Sequence, residues 1–176
     1  GTAESALNLS MALRVRDLCA FLGVDTVMTR DTEEITYPSE AKTIAAMKKW
    51  DTRRRVELAE SVDSPVFLSI HQNIYPSSGP HGSQVLYAQN EPSRALAELI
   101  QSRLTAALLP ENRRVPVPAG KDIYIMSHVQ CTAVLVECGF LSHPQELSLL
   151  QSADYQKKIA SVLTACYLQF TEKGVL

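Results

Sequence analysis

Short apolar runs alternate with longer segments of helical period along this chain, and no other feature limits its fold as much. The runs are VDTVMTR at 24–30, VFLSI at 66–70, SQVLYAQ at 83–89, IYIM at 123–126 and TAVLVE at 132–137, each read as a strand. Leu7, Met11, Val15, Leu18 and Leu22 recur at helical spacing and predict an amphipathic helix over 5–22, with Gly23 as its C-terminal stop. Residues 40–62, dense in charge around KKWDTRRRVELAE, read as a second helix. Leu96, Ile100, Leu104 and Leu108 mark a third, from near Pro92 to before Pro110. Pro144 opens a short helix, and Tyr155, Ile159, Val162 and Cys166 mark a last long one. Thr32 to Ala41, Tyr75 to Gly82 and NRRVPVPAGK read as loops. Strands interleaved with helices predict an α/β fold: a three-layer sandwich with a largely parallel sheet and helices on both faces.

In such sheets the working residues gather beyond the carboxyl ends of the strands. Two polar residues stand there: His71 ends VFLSI and Glu137 ends TAVLV. Both strands are apolar nearly throughout, as central strands buried on two faces should be. If they are parallel and adjacent, His71 and Glu137 emerge together. Alone, a histidine at a strand end is more often a hydrogen-bonded structural residue than a ligand. A lone glutamate is usually solvated or paired, although in VLVECGF apolar neighbours crowd it and burial without a partner would raise its pKa. Together the two suit a zinc hydrolase, with the imidazole as metal ligand and the carboxylate as general base.

The chain has 176 residues, one domain's worth, of which 45% are hydrophobic and 20% charged. A net charge of −2 gives no reason to expect nucleic acid as a partner. No apolar run approaches the roughly 20 residues that span a bilayer. The opening GTAESALNLS has no basic segment followed by an apolar core, so no signal segment is expected within the chain. Cys19, Cys131, Cys138 and Cys166 form no CxxC pair and are expected to be buried free thiols.

FLSIHQN together with AVLVECGFLSHPQELSLLQSADYQKKIA resembles the zinc-dependent N-acetylmuramoyl-L-alanine amidases of bacterial cell-wall metabolism (amidase type 3). The second stretch carries the more specific signs. A strand ends in Glu137, and a Gly139-Phe140 turn follows. Ser142 and Pro144 then start a helix, and Tyr155 lies on the helix that returns to the sheet. His143 stands where the family often has asparagine. NLSMALRVRDLCAFLGVDTVMTR and DTRRRVELAE are also similar to family segments, so the resemblance runs nearly end to end. Its flavour is closest to the sporulation amidases acting on spore cortex.

The resemblance implies a single amidase-like domain over residues 1–176, acting outside the cytoplasm on peptidoglycan. It implies cleavage of the amide between N-acetylmuramic acid and L-alanine, with one Zn2+ per domain. His71 and Glu4 take the places of zinc ligands, Glu137 that of the catalytic base, and Asn73 that of a residue shaping the site. The family also opens with a strand ending in Gly-His-Gly, which supplies a further zinc histidine, and this sequence has no such segment. The expectation is that the native protein has residues ahead of Gly1, and that these 176 residues bind zinc weakly or not at all unless His81, His128 or another group substitutes. His81 otherwise reads as a surface histidine. The loops at 31–41 and 74–82 are too short to hold an inserted autoinhibitory helix. The alternative reading is a non-catalytic peptidoglycan-binding or scaffold domain with an incomplete metal site. A further reading, with Cys138 as nucleophile and His71 as its base, is disfavoured because Cys138 follows Glu137 in the strand and projects to the opposite face. Arg53, Arg54 and Arg55 read as a solvated helix face, and Trp50 as a half-buried anchor or a sugar-stacking ring. Protein partners are unknown from the sequence.

Overall fold

The computed structural model describes residues 4–172. In chain order the elements are α1 (Glu4–Phe21), α2 (Ile44–Glu60), β1 (Val66–Asn73), β2 (Gln84–Tyr87), α3 (Glu91–Leu108), β3 (Val117–Pro118), α4 (Tyr124–His128), β4 (Thr132–Phe140), α5 (Pro144–Gln151) and α6 (Ala153–Glu172). The strands form one sheet in the order β1-β4-β2-β3. β1 runs parallel to β4 and β2 parallel to β3, while β2 and β4 are antiparallel. The expected α/β sandwich is the observed architecture.

β1, β2 and β4 alternate between two cores. Ile70, Val85, Val134, Val136 and Cys138 pack with Leu7 and Met11 of α1, Leu96, Ile100 and Leu104 of α3, and Ile159 and Leu163 of α6. Ala133 and Leu135 pack on the other face with Val56 and Ala59 of α2 and Met126 of α4. Burying both faces is what makes β4 apolar from Ala133 to Val136.

Local chemistry sets the helix ends. Gly23 adopts φ +73°, and the bonds Val24 N→Cys19 O (2.8 Å) and Gly23 N→Ala20 O (3.2 Å) close α1 in a Schellman turn. Thr43 caps α2 by accepting from Ala46 N at 3.1 Å, so that helix starts a few residues later than its charge density suggests. Asn90 caps α3 through Ser93 N at 2.9 Å, with Pro92 in the first turn.

Two predicted strands are not strands. Of IYIM, Ile123 is the N-cap and Tyr124 to Met126 lie in α4: Ser127 N bonds Ile123 O and Val129 N bonds Ile125 O, and Met126 is buried against the α2 face. A four-residue apolar run carries too little periodicity to separate a strand from a buried helical turn. Residues 24–30 form no strand, have no ladder partner among the described residues, and leave Val27 58% exposed. The sequence also gave no sign of β3, which lies within a segment read as loop.

Candidate active site

β1 and β4 pair in parallel with His71 directly opposite Glu137. β2 continues the row on the far side of β4, where Gln84 lies opposite Glu137. His71, Glu137 and Gln84 therefore form one row across three strands. They alternate with Ile70, Val136 and Val85, which belong to the core under α1, α3 and α6, so their side chains share the opposite face.

Just past this row the β1–β4 register slips. Asn73 pairs with Phe140, so β4 holds one more residue than β1 between the two pairs. The bulge brings Phe140 to the same face as Asn73 and His71, where an unbroken β4 would alternate it away. Leu141 N bonds Asn73 O at 2.8 Å and fixes the slipped register. Both strands thus run past the positions where their apolar patterns end.

Glu4 opens α1 and reaches the end of β1. Its Oε1 lies 3.1 Å from His71 Nδ1 and accepts from Asn8 Nδ2 at 3.0 Å and Gln72 N at 3.3 Å. The shared hydrogen bond with His71, aided by those from Asn8 and Gln72, outweighs partial burial and holds the Glu4 carboxyl down to about 2. Gln72 itself is buried and donates to Asn8 Oδ1 at 3.3 Å, locking the first turns of α1 against β1.

Glu137 has the opposite surroundings. Burial pushes its pKa up and the neighbouring Glu4 charge adds to the rise, while His71 opposes both. Its Oε2 is buried and has no hydrogen-bond partner among the described residues. A buried carboxylate oxygen without a partner is costly and marks a group held for chemistry more readily than for stability.

The donor set suits zinc in kind, since imidazole nitrogen and carboxylate oxygen are ordinary zinc ligands. Two ligands of one tetrahedral zinc stand about 3.3 Å apart at normal bond lengths, close to the 3.1 Å between Glu4 Oε1 and His71 Nδ1. Among the described residues, no three His, Cys, Asp or Glu side chains converge into a group able to hold a metal. His81 is bonded to Gly79 O at 2.9 Å and lies beside the His143 ring at 5.3 Å, while His128 stacks on Tyr124 at 3.7 Å. Neither histidine joins the Glu4–His71 pair.

Cys138 points into the core, fully buried, and burial followed by the Glu137 charge pushes its thiol up to about 12. Its place in the core and its raised pKa both count against the nucleophile reading, because a thiol attacks as thiolate. Arg55 pairs with Asp51 at 2.9 Å and Arg54 lies over Trp50 at 5.6 Å, so part of the basic run is occupied within α2. Trp50 is half-buried and meets Tyr37 edge-on at 5.8 Å.

The sequence did not single out Gln84 or Arg114. Arg114 Nη1 donates to Gln84 Oε1 at 3.0 Å, its Nε donates to His81 O at 2.9 Å, and its guanidinium lies 4.6 Å from the centre of the Phe140 ring. Only the strand register, invisible in a linear reading, puts Gln84 beside Glu137.

The model of the N-acetylmuramoyl-L-alanine amidase family matches residues 1–166. The germination-specific N-acetylmuramoyl-L-alanine amidase of Bacillus subtilis is 36% identical over 176 residues, covering 97% of this chain and 72% of that protein. The N-acetylmuramoyl-L-alanine amidase LytC of the same organism is 31% identical over 166 residues, covering 93% of this chain but 30% of that protein. Among solved structures, the CwlD amidase from Clostridioides difficile, in complex with the GerS lipoprotein, superposes with a TM-score of 0.93 at 29% identity. That match covers 98% of this chain and 88% of the CwlD chain.

Proposed function

The chain belongs to the N-acetylmuramoyl-L-alanine amidase family, and from that premise we propose how it works: Glu137 is the general base, beside a zinc held in part by Glu4 and His71. The bond cut is the amide joining the lactyl group of N-acetylmuramic acid to L-alanine in peptidoglycan. The observation that carries the reading is the pairing of His71 with Glu137 in one register row, with Glu4 in contact with the imidazole.

Zinc, when bound, lowers the pKa of a water toward neutrality and polarises the scissile carbonyl. Each residue of the chain then has a separate task. Glu4 stays ionised at every working pH and stands beside His71 Nδ1 as the second ligand of the pair. Glu137, with its raised pKa and free Oε2, accepts the proton of the attacking water and returns it to the departing alanine nitrogen. Asn73 lies on the same face beyond His71 and lines the approach to the row.

Likeness to the germination-specific amidase supports spore peptidoglycan as the substrate, and with it a place of action outside the cytoplasm. Likeness to CwlD, solved with a lipoprotein, supports a protein partner for this chain as well.

The test is release of stem peptides from purified peptidoglycan by the complete protein, with and without chelator. Glu137→Ala is expected to cut release at least about 100-fold, and chelation is expected to stop it until zinc is restored. Near-full release by Glu137→Ala would sink the assignment.

A further inference from the structure

We propose that Arg114 is a specificity residue on the peptide side of the cleft, binding the free carboxylate that a stem peptide carries one residue beyond its L-alanine. The inference rests on the amidase reading above and assigns its leaving-group side.

Arg114 enters from the loop after α3 and stands on the catalytic face. Its Nη1 is 3.0 Å from Gln84 Oε1, and Gln84 lies directly opposite Glu137 across the β2–β4 ladder. Its guanidinium covers Phe140, which the bulge in β4 turns to that face, at 4.6 Å. Its Nε is fixed on His81 O at 2.9 Å. Three contacts therefore define the plane of the guanidinium.

Every one of those contacts is to a neutral group. Among the described residues no carboxylate lies within ion-pair distance of Arg114, and no group accepts a hydrogen bond from its Nη2. A structural arginine in a half-buried place is usually matched by an acid, because an unmatched charge is costly to hold out of water. Here the charge is oriented but left unmatched, an arrangement that suits an arriving carboxylate.

The chemistry of the substrate supplies that carboxylate at a suitable reach. In peptidoglycan the second stem residue is a D-glutamate joined to the next residue through its side chain, which leaves its α-carboxylate free unless amidated. That group hangs from the residue after the alanine, one Cα step of about 3.8 Å along the chain. Gln84 stands one strand spacing, about 4.8 Å, from Glu137. With the scissile amide at Glu137, the carboxylate comes over Gln84 and onto Arg114.

Binding separates this proposal from the catalytic one because it needs no turnover. The complete protein would be titrated calorimetrically with L-alanyl-γ-D-glutamyl-diaminopimelate and with the same tripeptide carrying an α-amide on the glutamate. The unaltered protein is expected to bind the free acid at least about tenfold more tightly than the amide. Arg114→Gln is expected to bind both at the amide's level. Arg114→Lys, which keeps the charge and loses the fork, is expected to retain only part of the preference. In hydrolysis the same discrimination should appear in KM, with kcat little changed. Equal affinity of the unaltered protein for the two tripeptides, no measurable binding of either, or a preference that survives Arg114→Gln would each overturn the proposal. Failure of the Glu137 assignment would show instead as hydrolysis persisting in Glu137→Ala, with the binding data intact.

Discussion

Glu4 Oε1 and His71 Nδ1 meet at 3.1 Å across a sequence separation of 67 residues. The contact follows from how α1 docks. Leu7 and Met11 bury one face of the helix in the core that holds Ile70, and Gln72 bonds Asn8, so the first turn of α1 ends over the tip of β1. The Glu4–His71 contact is thus built by packing the same two elements that carry it.

Glu4→Gln is expected to weaken zinc binding by at least about tenfold in a competition titration while leaving the fold intact. A second effect appears in the metal-free protein. The folded Glu4 pKa is lowered to about 2, below its unfolded value, so its stabilising contribution is complete above pH 4.5 and is lost as pH falls toward 2. The Tm difference between the unaltered protein and Glu4→Gln should therefore be steady from pH 7 to 5 and shrink below that. A difference that grows on acidification would refute the assignment of Glu4 as the ionised partner. The carboxylate is partly solvated, so the effect is small in absolute terms.

Glu137 carries the opposite sign. Its folded pKa is raised, so the folded state holds the proton more tightly and stability falls as pH climbs from the unfolded value through the folded one. Glu137→Gln removes that penalty. The metal-free variant is expected to melt above the unaltered protein at pH 7, with the gain disappearing below about pH 4, while hydrolysis falls at least about 100-fold. Thermal melts at the two pH values check the first part and stem-peptide release the second. Stability sacrificed for a poised base is the expected compromise at an active site.

The sequence made β1, β4 and β2 legible and left β3 obscure. VFLSI and TAVLV announced themselves as continuous apolar runs, fully buried in β4 and partly buried in β1, and His71 and Glu137 stood out as the polar interruptions. Burial also set the limit. IYIM is as apolar as a strand yet forms α4, because four residues under α2 satisfy their backbone as a helical turn. Gln84 and Arg114 carried no signal, since their place beside Glu137 depends on an antiparallel register and on a bulge that no local pattern encodes.

Glu146 ties the bulge to the loop that leads into β2. It is buried, with Oε1 accepting from Gly82 N at 2.9 Å and Oε2 from Phe140 N at 2.8 Å. Glu146→Ala leaves both amides unsatisfied and is expected to cost on the order of 3 kcal/mol in urea unfolding. Gly82→Ala tests the other end of the same tie. Gly82 has φ +89°, and a Cβ there would come 2.6 Å from Asn112 Oδ1. Strain and collision together are expected to cost about 2 kcal/mol or more. A cost under about 0.5 kcal/mol for either variant would mean that the loop and the bulge are held by other contacts.

Cys138 sits next to Glu137 in sequence and on the opposite side of the sheet in space. Its side chain is in the core with Val134 and Val136, and its thiol is pushed up to about 12. At neutral pH almost none of it is thiolate, so iodoacetamide should not label it in the folded protein. Cys131 is half-buried and also raised by burial, but it is the most accessible of the four thiols and is expected to react first. Cys138→Ala is expected to keep kcat/KM within about threefold and to cost roughly 1 kcal/mol of stability through the lost sulfur packing. Peptide mapping after labelling, with stem-peptide release by the variant, checks both parts. A loss of activity as large as that of Glu137→Gln would return the thiol to the mechanism. Retained activity leaves the proton transfer to the Glu137 carboxylate, whose Oε2 is buried without a partner among the described residues.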